Sequence, residues 1–146
     1  MDKNKVKGLI ATGSSAKELA KAQSVAKKAW PPFPHNGCAA NLSALLQLAG
    51  INVPMTLGAG ALAYKLGGGV GSRGWAHIPV GQQIAGDVGV TFDEGGNPGA
   101  DHIYLVLQAI DKDEMIIADN QATTPHHRFA SGAGGKTPTE YFLRAT

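Results

Sequence analysis

Apolar residues recur at helical spacing in the first third of the chain and at every second position in the last third, so helices are expected first and strands after. Ser15-Ala16-Lys17-Glu18 has the form of a capping box, a serine that satisfies the N3 amide with a glutamate reaching back, and it opens a helix to about Lys28. Leu19, Ala22, Val25, Ala26 and Ala29 share one face of it, Lys17, Lys21, Lys27 and Lys28 lie largely outside that face, and Pro31 ends it. A second helix is expected from about Cys38 to Ala49, with Leu42, Leu45, Leu46 and Ala49 at helical spacing and Gly50 placed to stop it. Cys38 lies on that same inward face.

From Gly86 the period changes to two. Val88, Val90 and Phe92 alternate in one strand, and Ile103, Leu105 and Leu107 alternate in the next, with Tyr104 and Val106 filling the other face. A strand apolar on both faces is covered on both. Asp111-Lys112-Asp113-Glu114 reads as a polar turn into Met115-Ile116-Ile117-Ala118, and Tyr141-Phe142-Leu143 as a closing strand. The expected class is α+β, with N-terminal helices packed on a central antiparallel sheet. Between Gly50 and Ile84 the glycine-rich chain reads as connecting and groove-lining structure with one helical piece, Ala59 to Leu66. Gly69-Val70-Gly71-Ser72-Arg73-Gly74 matches GxGxxG, but no strand precedes it and Pro79 and Gly81 interrupt any helix after it. It reads as a surface loop rather than a phosphate cradle.

Composition narrows the function classes. A chain of 146 residues fits one domain, 1–146, and a net charge of +2 with no basic run argues against nucleic acid as a partner. Gly8-Leu9-Ile10-Ala11 is too short for the apolar core of a secretory signal, and no stretch approaches the ~20 apolar residues of a membrane span. The expectation is a soluble protein without a Sec signal, cytoplasmic as made and without a membrane partner. A single cysteine excludes an intrachain disulfide.

That cysteine carries the candidate chemistry. Cys38 follows the loop Pro31 to Gly37 at a helix start, where free backbone N–H groups and the helix dipole favour a thiolate and a nearby imidazole favours it further. This is what a cysteine nucleophile needs. His102 opens the central strand after a glycine- and proline-containing loop and is placed, exposed at the sheet edge, to act as base. A third polar group should fix its tautomer from the neighbouring strand. A regular hairpin setting Ile110 against Met115 pairs Tyr104 with Gln121 and Val106 with Asp119, which puts Asp119 and Gln121 on the face of His102. Asp119 is the expected third group with Gln121 as helper; a bulge shifting the register by one would bring Asn120 there instead.

Four segments in this order resemble the papain-like amidases of the CHAP type and their NlpC-type relatives: Asn36-Gly37-Cys38, Gly86-Asp87-Val88-Gly89-Val90, Asp101-His102-Ile103-Tyr104-Leu105-Val106 and Tyr141-Phe142-Leu143-Arg144. The resemblance spans most of the chain. CHAP is the closer match: its members carry a polar or acidic residue on the strand after the histidine, often with an asparagine two positions on, and here Asp119 and Gln121 hold those places. NlpC-type members commonly use a second histidine, whereas His126 and His127 follow Pro125 beyond the expected strand. The resemblance implies a papain-like fold, no cofactor, and hydrolysis of an amide bond, most often in bacterial peptidoglycan. It assigns Cys38 as nucleophile, His102 as acid and base, and Asp119 as the group that orients the imidazole. Trp75, His77 and Tyr104 are candidates to line the groove. The lack of a Sec signal suggests three settings: a phage lysin, an antibacterial effector exported by a dedicated secretion machine, for which the resemblance implies an inhibitory immunity partner, or an intracellular peptidase or amidase unrelated to the wall.

Two rival chemistries are weak. A metal site from Cys38, His77, His102 and His126-His127 lacks any zinc spacing, so no metal is expected, and Asp93-Glu94-Gly95-Gly96-Asn97 reads as a turn rather than a calcium loop. The serious competitor is a module of the same fold that keeps its thiol for packing and binds a peptide or protein in its groove.

Overall fold

A computed structural model describes residues 1–93 and 101–146. After a 3-10 turn at Asp2–Lys5 come four helices, α1 (Val6–Ser14), α2 (Ala16–Ala29), α3 (Cys38–Leu48) and α4 (Ala59–Gly67). Six strands follow: β1 (Ala76–Ile78), β2 (Val88–Thr91), β3 (Ile103–Ala109), β4 (Glu114–Ala118), β5 (His126–Phe129) and β6 (Thr139–Arg144). They form one sheet in the order β1-β6-β2-β3-β4-β5, with antiparallel pairing throughout. The chain is α+β with helices before sheet, as the hydrophobic pattern predicts.

The sheet separates two cores. Val88, Val90, Ile103, Leu105, Leu107 and Leu143 pack with Leu9, Leu19, Leu42, Leu45, Leu62 and Leu66 from the helices. Tyr104, Val106, Met115, Ile117, Ala130 and Phe142 form a smaller cluster of their own. Every residue of α3 from Cys38 to Leu46 is buried, because this helix packs against both α2 and β3. The Ser15 half of the capping box forms, its hydroxyl accepting from Glu18 N–H at 3.2 Å. Among the described residues no helix is long and apolar enough to cross a membrane.

Three elements differ from the sequence reading. Helix α1 was not expected, since Gly8 and Gly13 weaken its intrinsic preference. Packing overrides that preference: Gly13 lies against Leu105 and Leu107 so closely that a Cβ there would meet both side chains. Strand β1 lies inside the stretch read as connecting structure and pairs with β6, His77 opposite Leu143. Strand β5 reads His-His-Arg-Phe, with too few apolar positions for a period-two signal.

Candidate active site

The site forms where α3 begins, β3 starts and β4 ends. Gly37 precedes α3, and a side chain there would run into the ring of Phe33. Asn36 adopts a left-handed φ of 51°, which asparagine tolerates better than most residues. This turn delivers Cys38 as the first residue of α3, whose N-terminus has no capping side chain. A groove of about 750 Å³ opens in front of it, and Cys38, His102, Asn120, Gln121, Arg128 and Lys136 are among the residues that line it.

His102 donates from Nε2 to Asp119 Oδ2 at 2.9 Å. Asp119 Oδ1 accepts from His126 Nε2 at 2.7 Å and from the Gln121 backbone N–H at 2.9 Å. A carboxylate only accepts, so both Nε2 atoms carry hydrogen and Nδ1 of His102 is left to meet a thiol. Burial works against the charged ring of His102, which is 8% exposed, but the interactions with Asp119 and then with Cys38 outweigh it and raise its pKa. Burial would likewise push Asp119 up; the hydrogen bonds from His102 and His126 override this and hold the carboxyl well below the usual carboxylate range. A thiol, an imidazole and a carboxylate thus stand in sequence at one end of the sheet.

The segment after β4 is pinned from two sides. Gln23 of α2 donates to the carbonyls of Asp119 and Ala122 at 3.1 and 2.9 Å. Asn120 Nδ2 donates to the Pro34 carbonyl at 2.8 Å, tying this segment to the loop that leads into Cys38. The position of Asp119 therefore does not rest on its own contacts alone.

Register explains why Asp119 reaches His102. The hairpin pairs Ala109 with Met115, and after a bulge between Val106 and Gln108 it pairs Val106 with Ile117 and Leu105 with Ala118. The expected pairing of Val106 with Asp119 is thus off by two residues, one lost at the turn and one at the bulge. Because side chains alternate with period two, a two-residue slip keeps every side chain on its expected face, whereas a slip of one would have sent Asp119 to the other side.

Other expected positions differ. Trp75 is 3% exposed, packs in the helix-side core and donates its indole N–H to Asp2 Oδ2 at 2.9 Å, so it is not a groove residue. His77 stacks on Tyr141 with ring centroids 4.5 Å apart and contacts the Gly67 carbonyl through Nε2. Tyr104 is fully buried, and no residue of 50–84 is among those lining the groove. His102 is buried rather than exposed. The Gln121 side chain points to Lys136, with 3.3 Å between Oε1 and Nζ, and its backbone rather than its amide holds Asp119.

His126 was not anticipated as a partner of Asp119. The polar strand β5 gave no periodic signal, yet it pairs with β4 and sets His126 opposite Ile117. Its neighbour His127 pairs with Glu114 at 2.7 Å, away from Asp119. The start of β2 is held through Asp87, just before it, which takes two hydrogen bonds from Arg144, at 2.9 and 2.8 Å. Among the described residues no group of three or more His, Cys, Asp or Glu is arranged to hold a metal ion. Asp93 apart, the Asp93 to Asn97 turn lies outside the described residues.

Compared with protein-family models, curated proteins and solved structures, the chain matches none.

Proposed function

We propose that this chain is a cysteine amidohydrolase or peptidase of papain-like, CHAP-type organisation, and that its substrate is an amide bond of bacterial peptidoglycan. The observation that carries the reading is the His102–Asp119 hydrogen bond at 2.9 Å in the groove that Cys38 lines from a helix N-terminus. The polar groove suits a peptide better than an apolar ligand. The peptidoglycan assignment rests on the order of the four sequence segments.

The chemistry follows from the three groups. Cys38 gives its proton to His102 Nδ1, and the thiolate attacks the amide carbonyl, whose oxygen takes the negative charge. The Cys38 backbone N–H, which no capping side chain occupies, is one donor for that oxyanion. Collapse breaks the C–N bond as His102 passes its proton to the leaving amine, leaving a thioester. His102 then takes a proton from water, the hydroxide attacks the thioester, and the acid departs as the proton returns to the thiolate. Asp119 keeps the ring oriented and favours the imidazolium in both halves.

The test is digestion of purified peptidoglycan by the wild type and by Cys38→Ala, with soluble fragments identified by mass spectrometry. Fragments found only with the wild type are expected, and they would name the bond. No fragments from either protein would overturn the peptidoglycan assignment and favour a binding module.

A further inference from the structure

We propose that Arg128 is the receptor for a substrate carboxylate, so that this groove selects acylated peptides carrying a free carboxylate over their carboxamide counterparts. The inference rests on the groove being the substrate site.

Arg128 is 4% exposed and lines the groove from β5. Its Nη2 donates to the Thr137 carbonyl at 2.8 Å, while its Nε is buried with no hydrogen-bond partner. Among the described residues it has no carboxylate partner. A buried cation with an unspent N–H is costly, and the face of Tyr104, 5.0 Å from the guanidinium carbon, offsets only part of that. Asp101, the one acid among the described groove-lining residues, accepts from Thr137 Oγ1 through Oδ2 at 2.7 Å and forms no ion pair with Arg128. No described residue supplies the missing partner, and an anionic group of the substrate would fill the place.

The geometry suits a carboxylate. A guanidinium presents paired N–H donors in a planar fork that a carboxylate matches with two oxygens. Its platform is fixed, because Tyr104 bonds Thr139 Oγ1 at 2.6 Å and meets Phe142 edge-on. The pairing of Met115 with Arg128 and Ile117 with His126 places Arg128 two residues along from His126 on the same face of β5. Lys136, also lining the groove, adds a second positive charge. The same face thus holds both the support of the imidazole and the anion receptor.

The test titrates Cys38→Ala, which cannot turn substrate over, with N-acetyl-L-alanyl-D-glutamic acid and with the same compound with both carboxyl groups as carboxamides. The acid is expected to bind roughly 10- to 100-fold more tightly, the range of a charge-assisted hydrogen-bonded pair. Arg128→Gln should erase that preference and Arg128→Lys should keep part of it. Equal binding of acid and amide, or no binding of either at millimolar concentration, would overturn the proposal. The same comparison in Lys136→Gln, which should keep most of the preference, separates Arg128 from the other groove cation even where Arg128→Gln does not fold. Preference for the acid without peptidoglycan cleavage would leave the receptor standing and the hydrolase reading fallen; cleavage without preference would do the reverse.

Discussion

The two faces of the sheet are built from the same alternating strands and put to different uses. On one, Ile103, Leu105 and Leu107 meet the helices and the contacts are apolar. On the other, Tyr104 and Val106 belong to a smaller cluster, beside which lie His102, Asp119, His126 and Arg128. The helix side supplies burial, roughly proportional to apolar area and indifferent to direction. The other side holds directional bonds among groups that are costly to bury unpaired. Substitutions on the first face should therefore act on stability, and those on the second on chemistry.

The largest effects should come from the site, where Cys38, carried by the helix side, meets the polar groups of the other face. Cys38→Ala should abolish hydrolysis, and His102→Ala should lower kcat/KM on the order of 10³-fold or more, measured by fragment release from peptidoglycan. Asp119→Asn should cost about 10²- to 10⁴-fold, because an amide offers one acceptor oxygen where two histidines and a backbone N–H now converge on two.

The same substitution should leave a pH signature in stability. Asp119 has its pKa lowered on folding, so its contribution is present above the ordinary value of 3.8 and is lost as pH falls below it. His102 has its pKa raised, so its contribution is full below 6.5 and fades as pH rises through the folded value. The stability gap between wild type and Asp119→Asn in urea titrations should be widest between these limits and narrow on either side.

On the apolar face, Leu105→Ala should cost about 2–5 kcal/mol in chemical denaturation. On the other face Tyr104→Phe, which strands the buried Thr139 hydroxyl and removes no reacting group, is the exception and should cost stability, about 1–3 kcal/mol. His126→Ala is the mildest: it leaves the His102–Asp119 bond in place, and activity should fall about tenfold or less in the same fragment assay. An effect of His126→Ala as large as that of Asp119→Asn would show that the second histidine takes part in the chemistry rather than positioning it.

Periodicity was enough to place α2, α3, β2 and β3, and short apolar runs placed β4 after its polar turn and β6 at the close of the sheet. It failed where packing or pairing outweighs local preference: α1 with its two glycines, the edge strand β1 and the polar strand β5. The candidate site was legible for a narrower reason. Cys38 and His102 stand at element boundaries that the pattern marks, and Asp119 kept its face because two one-residue slips in register added to one full period of two. His126 and Arg128 could be found only once β5 was known to pair with β4. Trp75 was misplaced because a tryptophan in a glycine-rich stretch gives no sign that Asp2, at the other end of the chain, holds its indole.

The most direct test of Cys38 as a nucleophile worked by His102 is the rate at which this lone thiol is alkylated by iodoacetamide at pH 6 in the folded protein, with and without His102→Ala. The account predicts prompt labelling of the wild type and a rate at least about tenfold lower in the variant. Equal rates in the two proteins, or a native thiol that stays unlabelled until the chain unfolds, would contradict it.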